Sequence, residues 1–121
     1  MIIDDDPLHC EIAKSFFEKK GAAQIFVAND GIQAVAKLGS SSDTFDLLMI
    51  DLNMPEFDGI EVIRYLRDIN CKVPLLIVSG TEKSVFDAAE ALAKMYGLTL
   101  IGALEKPLNY DLLESMLPPC Q

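Results

Sequence analysis

Carboxylates, one hydroxyl and one ammonium stand at the ends of apolar runs in this 121-residue chain. Asp4-Asp5-Asp6 follow the first run, Asp51 ends the run in MIDLNMPEFDG (residues 49–59), Ser79 follows LLIV, and Glu105-Lys106-Pro107 follow the last. Gathered at one edge, such carboxylates would repel one another and their pKa values would rise unless a cation joined them. Oxygen-only ligands with one or two carboxylates and room for water suit Mg²⁺. The backbone carbonyl of Asn53 can complete that set without adding charge. Beside the metal, the Ser79 hydroxyl and the Lys106 ammonium make an environment for receiving a phosphoryl group. Metal and lysine would neutralise the transferring oxygens, and Asp51 would be the nucleophile.

The elements that must position these groups are legible as alternating patterns. Short apolar runs at Met1–Ile3, Gln24–Val27, Phe45–Ile50, Leu75–Val78 and Leu98–Leu104 predict strands. The third and fourth are nearly continuous Leu, Ile, Val and Met, the signature of strands covered on both faces. Between them lie helical stripes: Ile12, Phe16 and Lys20 beside Ala13 and Phe17; then Gly31, Ala34, Val35 and Leu38; then Val62, Ile63, Leu66 and Ile69. Val85, Ala89, Leu92 and Tyr96 give a fourth stripe, and Leu112, Leu113, Met116 and Leu117 a fifth. Gly21, Gly39 and Gly97 read as helix stops, Asp6 and Asn109 as caps, and Pro118-Pro119 as the end of the last helix. Pro55 limits φ in the loop after Asp51, and Gly59 accommodates the turn into the third helix.

Five β–α units in series predict an α/β fold, a doubly wound parallel five-stranded sheet in the order 2-1-3-4-5. Its crevice lies at the carboxyl ends of strands 1 and 3, where the winding reverses. There the strand ends that carry Asp4, Asp51, Ser79 and Lys106 share one edge, with neighbouring strands roughly 4.8 Å apart.

Bulk properties narrow the function further. Half of the residues are hydrophobic and a quarter are charged, as in a single globular domain. A formal charge of −9 and a pI near 4.4 argue against nucleic acid or an anionic membrane as direct partners. Cys10, Cys71 and Cys120 are odd in number and share no zinc-site spacing, so a reducing cytoplasm is expected. No apolar run approaches the length of a membrane span, and MIIDDD has neither the basic start nor the long apolar stretch of a signal peptide. His9, the single histidine, is expected on an exposed part of helix 1 without a role. Met49, Met54, Met95 and Met116 are expected in packing.

The acidic cluster after strand 1, DLNMPEFDG after strand 3, SG after strand 4 and KP after strand 5 resemble, in that order, the receiver domain of two-component response regulators. The resemblance covers residues 1–117 and leaves 118–121 as the start of a linker or tail. It implies a flavodoxin-like (βα)5 sandwich with Asp51 as phosphoacceptor, Ser79 as switch hydroxyl and Lys106 as the phosphoryl-contacting lysine. Asp4 and Asp5 become the acidic pair, Asp5 on the metal with Asp51 and Asn53, and Asp4 in the outer shell through water. Further implications are a cis Lys106–Pro107 bond, Mg²⁺ as cofactor and a sensor histidine kinase or phosphotransfer protein as donor. Such a domain is a regulatory phosphoacceptor rather than an enzyme, joined to an output domain and able to homodimerise. The stretch IGALEKPL also resembles receivers that precede EAL-type cyclic-di-GMP phosphodiesterase domains. One departure stands out: receivers commonly carry Tyr or Phe three residues before the lysine, and here that position is Ala103.

Three other classes compete. A phosphatase of the haloacid-dehalogenase type needs a second aspartate two positions after the first, where this chain has Asn53. A flavodoxin-like electron carrier cradles a phosphate in its first loop, which Asp4, Asp5 and Asp6 would repel. A degenerate receiver acting as a phosphorylation-independent binding module would have lost the acceptor, the acidic pair or the lysine, and all three are present.

Overall fold

Leu48, Met49 and Ile50 are consecutive and all three are buried, although successive strand side chains point to opposite faces. Both faces of the sheet are therefore covered, as their unbroken apolar run requires. The computed structural model describes residues 1–22, 24–41, 45–54, 59–80 and 83–117. Pro55, Pro118, Pro119 and Cys120 lie outside these residues. The elements are β1 (Ile2–Ile3), α1 (Pro7–Lys19), β2 (Val27–Ala28), α2 (Gly31–Ser41), β3 (Leu48–Asp51), α3 (Gly59–Asp68), β4 (Leu75–Ser79), α4 (Lys83–Met95), β5 (Leu100–Glu105) and α5 (Tyr110–Met116). The strands pair in parallel in the order β2-β1-β3-β4-β5, the predicted doubly wound arrangement.

Register places Ile3 opposite Ile50, Ile50 opposite Ile77, and Ile77 opposite Ala103. This row packs against Ala34 and Leu38 of α2, Val62, Ile63 and Leu66 of α3, and Ala89 and Ala93 of α4. The alternate row, Ile2, Met49, Leu76, Val78 and Leu104, faces Cys10 and Ala13 of α1 and Leu113 of α5. Two helices thus cover one face and three the other.

Strand limits differ from the periodic reading. Pairing in β2 is confined to Val27–Ala28, later than Gln24–Val27, and β5 begins at Leu100 rather than Leu98. β3 begins at Leu48 and runs on through Asp51, so the carboxylate is itself the last residue of the strand. Three helix faces also need correction. Ile12 is 47% exposed, Val85 41% and Leu112 45%. Of the residues in those stripes Ala13, Ala89 and Leu113 do face the sheet, and they are joined there by Cys10, Phe86 and Ala93, which the stripes did not include. Small residues let the helix backbone approach the sheet, and larger apolar side chains are pushed to its margins. Met95, expected in packing, is exposed at the end of α4.

Caps follow the sequence more closely. Asp6 Oδ1 accepts the backbone N–H groups of Leu8 at 3.0 Å and His9 at 3.4 Å, and Asn109 Oδ1 accepts that of Leu112 at 3.1 Å. Gly21 and Gly97, with φ of 91° and 75°, follow α1 and α4 in the left-handed conformation. Gly39 is not a stop, because it lies within α2. A Cβ there would stand 2.7 Å from Tyr65 Oη, so the missing side chain leaves room for the tyrosine hydroxyl of α3 against α2.

Candidate functional site

Among the described residues the buried polar side chains are Asp4, Asp51 and Ser79, and each stands at the carboxyl end of a strand. Asp4 follows β1 and is tied to β2 through its N–H, which donates to the Ala28 carbonyl at 3.0 Å. Asp51 closes β3 and Ser79 closes β4. Lys106 follows β5 and is fixed by its own N–H, which donates to the Ser79 carbonyl at 2.9 Å. The Lys106–Pro107 bond is cis, as the resemblance implied.

The side chains converge on Lys106. Its Nζ donates to Asp51 Oδ2 at 3.0 Å and to Asp4 Oδ2 at 3.3 Å. Asp51 Oδ1 accepts the Asn53 N–H at 2.9 Å, so both oxygens of Asp51 are held. Asp4 Oδ1 accepts the Asp6 N–H at 2.9 Å, and Asp4 Oδ2 is in hydrogen-bond contact with His9 Nδ1. Asp5 is exposed, although a carboxylate oxygen of its side chain stays within reach of Asp4 and Asp51. Asn53 reaches the site through its backbone N–H, and its side chain is exposed. The close approach of α3 depends on Gly59, where a Cβ would lie 2.6 Å from the Asp51 carbonyl oxygen and 2.7 Å from Leu52 Cα. Its lack of a side chain, rather than a turning backbone, is what the position demands.

The two buried carboxyls are pushed in opposite directions. Burial raises the Asp51 carboxyl above its ordinary value, with the charge of Asp4 adding to it, against the pull of the Asn53 N–H and Lys106. Burial acts on Asp4 too, but the hydrogen bonds from His9 and Asp6 and the charges of Lys106 and His9 outweigh it, and its carboxyl falls to about 2. Burial works against the Lys106 ammonium, yet the two aspartates raise its pKa. Asp51 is therefore a carboxylate whose charge is incompletely compensated, beside one whose charge is secure.

One carboxylate oxygen each from Asp4, Asp5 and Asp51 lie within 4.8 Å of one another. These hard oxygens, one of them on an exposed side chain open to water, fit a small divalent cation such as Mg²⁺. The structure thus brings together Asp4, Asp5, Asp51, Asn53, Ser79 and Lys106. It also adds His9, which was expected to be exposed and idle. The signal was present in the cap: with Asp6 at the N-cap, His9 occupies the third helical position, where side chains reach back over the helix start.

The response regulator receiver domain family matches residues 1–117 of the chain. Among curated proteins the chain is similar to the transcriptional regulatory protein ZraR of Klebsiella oxytoca, 35% identical over 120 residues, which is 97% of this chain and 25% of that protein. It is similar also to the regulator of RpoS of Shigella flexneri, 32% identical over 92 residues, 76% of this chain and 26% of that protein. The chain spans about a quarter of the length of these relatives. Among solved structures, a response regulator from Colwellia psychrerythraea superposes with a TM-score of 0.78 at 30% identity, covering 94% of this chain and 88% of that one. The CheX-CheY-BeF3-Mg complex from Borrelia burgdorferi gives 0.79 at 21% identity, over 95% and 82%, and shows the shared fold. Among the described residues no helix is long and apolar enough to cross a membrane. The chain belongs to the response regulator receiver family and is a receiver domain.

Proposed function

We propose that Asp51 is the phosphoacceptor of this receiver, taking its phosphoryl group from a phosphohistidine on a sensor kinase or phosphotransfer protein. The observation that carries the reading is the 3.0 Å bond between Lys106 Nζ and Asp51 Oδ2, with the carboxylates of Asp4 and Asp5 alongside. In the transfer an Asp51 carboxylate oxygen forms the new O–P bond while the donor's N–P bond breaks, and the departing imidazole nitrogen takes up a proton. Asp5, Asp51 and the Asn53 carbonyl would hold Mg²⁺, with Asp4 outside them. When bound, the metal supplies positive charge against the transferring oxygens. Lys106 would follow the phosphoryl group with its ammonium, and the Ser79 hydroxyl would act as the switch that turns toward it.

The domain is regulatory, and we propose that the phosphoryl state controls a covalently linked output in the cytoplasm, residues 118–121 starting the linker. An EAL-type output rests on IGALEKPL alone, whereas ZraR is called a transcriptional regulatory protein. Intact-mass analysis after treatment with a small acyl phosphate tests the acceptor. Wild type should gain one phosphoryl group only with Mg²⁺ present, and Asp51→Asn none. A full adduct on Asp51→Asn would refute the assignment.

A further inference from the structure

His9 has no part in the roles above, yet it touches the most tightly held carboxylate of the site. Its Nδ1 bonds Asp4 Oδ2, the oxygen that also receives Lys106 Nζ at 3.3 Å, while Asp4 Oδ1 is taken by the Asp6 N–H at 2.9 Å. An ionised carboxylate only accepts, so Nδ1 carries the hydrogen whatever the charge of the ring. Asp4 therefore has both oxygens engaged by donors of the protein, while Asp5 remains exposed.

The other nitrogen of the ring is informative. His9 Nε2 is buried and has no hydrogen-bond partner among the described residues. An aliphatic side chain would fill the same space without an unsatisfied nitrogen, so packing alone does not account for an imidazole here. Among the described residues the ring's single bond is the one to Asp4.

We propose that His9 is a positioning residue for the phosphoryl site: its ring N–H holds Asp4 Oδ2 back from direct ligation and leaves the cation to Asp5 and Asp51. This rests on the metal reading given above. Without the donor, Asp4 Oδ2 would keep only its longer bond to Lys106. The charge it had shared with the ring would then be available to the metal.

Calorimetric titration of Mg²⁺ into wild type, His9→Leu and His9→Asn tests this. Leucine fills much of the ring's space without a donor, and asparagine offers an N–H at about the reach of Nδ1. His9→Leu should bind Mg²⁺ about three- to tenfold more tightly, the scale of one ordinary hydrogen bond after solvent compensation, and His9→Asn should stay near wild type. Unchanged or weaker binding in His9→Leu, or the same shift in both variants, would overturn the proposal. A second measurement needs no metal: the ¹³C shift of the Asp4 carboxyl should move in His9→Leu and return in His9→Asn. An unmoved shift would also overturn it. If wild type takes up no Mg²⁺, the metal reading fails, and the carboxyl shift decides separately whether His9 holds Asp4.

Discussion

At the carboxyl edge of the sheet, Asp4, Asp51 and Lys106 are locked together by bonds of 3.0 and 3.3 Å. At the amino edge a cavity of about 550 Å³ opens among Met1, Phe17, Phe26, Phe45 and Leu47. Phe26 and Phe45 meet there edge to face at 5.4 Å, and Lys37 lies over the Phe26 ring at 4.4 Å. The roomier edge has mostly apolar walls and little to hold a reacting group in place. The crowded edge has unlike charges at fixed separations, buried enough to matter. Space and chemistry sit at opposite ends of the same strands, so a substitution at one edge should act on stability and at the other on reaction.

The sharpest break between the edges is kinetic. Lys106→Ala should slow adduct formation on Asp51 by about 10²–10³-fold, the usual effect of removing one preorganised donor from developing charge. Phe45→Ala should leave that rate unchanged while lowering stability by about 3 kcal/mol, the scale for an aromatic core truncation. Rates from intact-mass time courses, set against denaturant melts, separate the two. A folded Phe45→Ala as slow as Lys106→Ala would mean that the edges are not independent.

Within the crowded edge, Asp4 and Asp51 should differ in sign. Asp4 lies at about 2 against an ordinary 3.8, so folding favours its charged form. That contribution, on the order of 2 kcal/mol, is complete above pH ~4 and is lost as pH falls toward 2. Asp51 is shifted upward, so its charge opposes folding above the raised pKa, and the cost disappears below the ordinary carboxylate range. In chelator at neutral pH, Asp4→Asn should lower the melting temperature and Asp51→Asn should raise it. A fall in both would show that Lys106 compensates the two carboxylates equally.

Why the carboxyl edge was readable from sequence and the helix faces were not has a physical basis. Asp51 and Ser79 follow an apolar run directly and Lys106 follows one after Glu105, so the strand end that positions them is local information. Parallel order then brings those ends together without any knowledge of packing. Helix faces depend on how close the backbone comes to the sheet. The stripes placed Ile12 and Val85 beside Ala13 and Ala89 and left out Ala93, whereas the three alanines are fully buried and Ile12 and Val85 are exposed. Gly39 was misread in the same way, since its neighbour is the Tyr65 hydroxyl on another helix. His9 was missed because it was read as an exposed residue of helix 1 and not as a donor to a carboxylate three positions before the helix start.

Metal should give a smaller effect than Asp4. At roughly ten times its Kd, Mg²⁺ should stabilise the wild type by about 1.4 kcal/mol through binding to the folded state alone. Asp5→Ala should abolish most of that gain, because Asp5 is the exposed carboxylate of the cluster. Equal melting shifts in wild type and Asp5→Ala would place the cation elsewhere.

The smallest effect concerns the outgoing signal. Ala103 sits opposite Ile77 on β5 and has no side-chain rotamer to change. Movement of the Ser79 hydroxyl should therefore be read out by the backbone from Ser79 toward α4 rather than by a flipping ring, an equilibrium that needs only a small difference in affinity between two states. Amide NMR shifts on adding beryllofluoride and Mg²⁺ should concentrate in residues 79–90. Shifts that bypass this segment would point to another route.

The central claim is that one carboxylate among the several at this edge, Asp51, takes the phosphoryl group. Borohydride reduction of the phosphorylated chain, followed by tandem mass spectrometry of its peptides, reads the acceptor directly. The account predicts the reduced residue at position 51 alone, and only when Mg²⁺ was present during phosphorylation. A label on Asp4 or Asp5 with Asp51 untouched would contradict it.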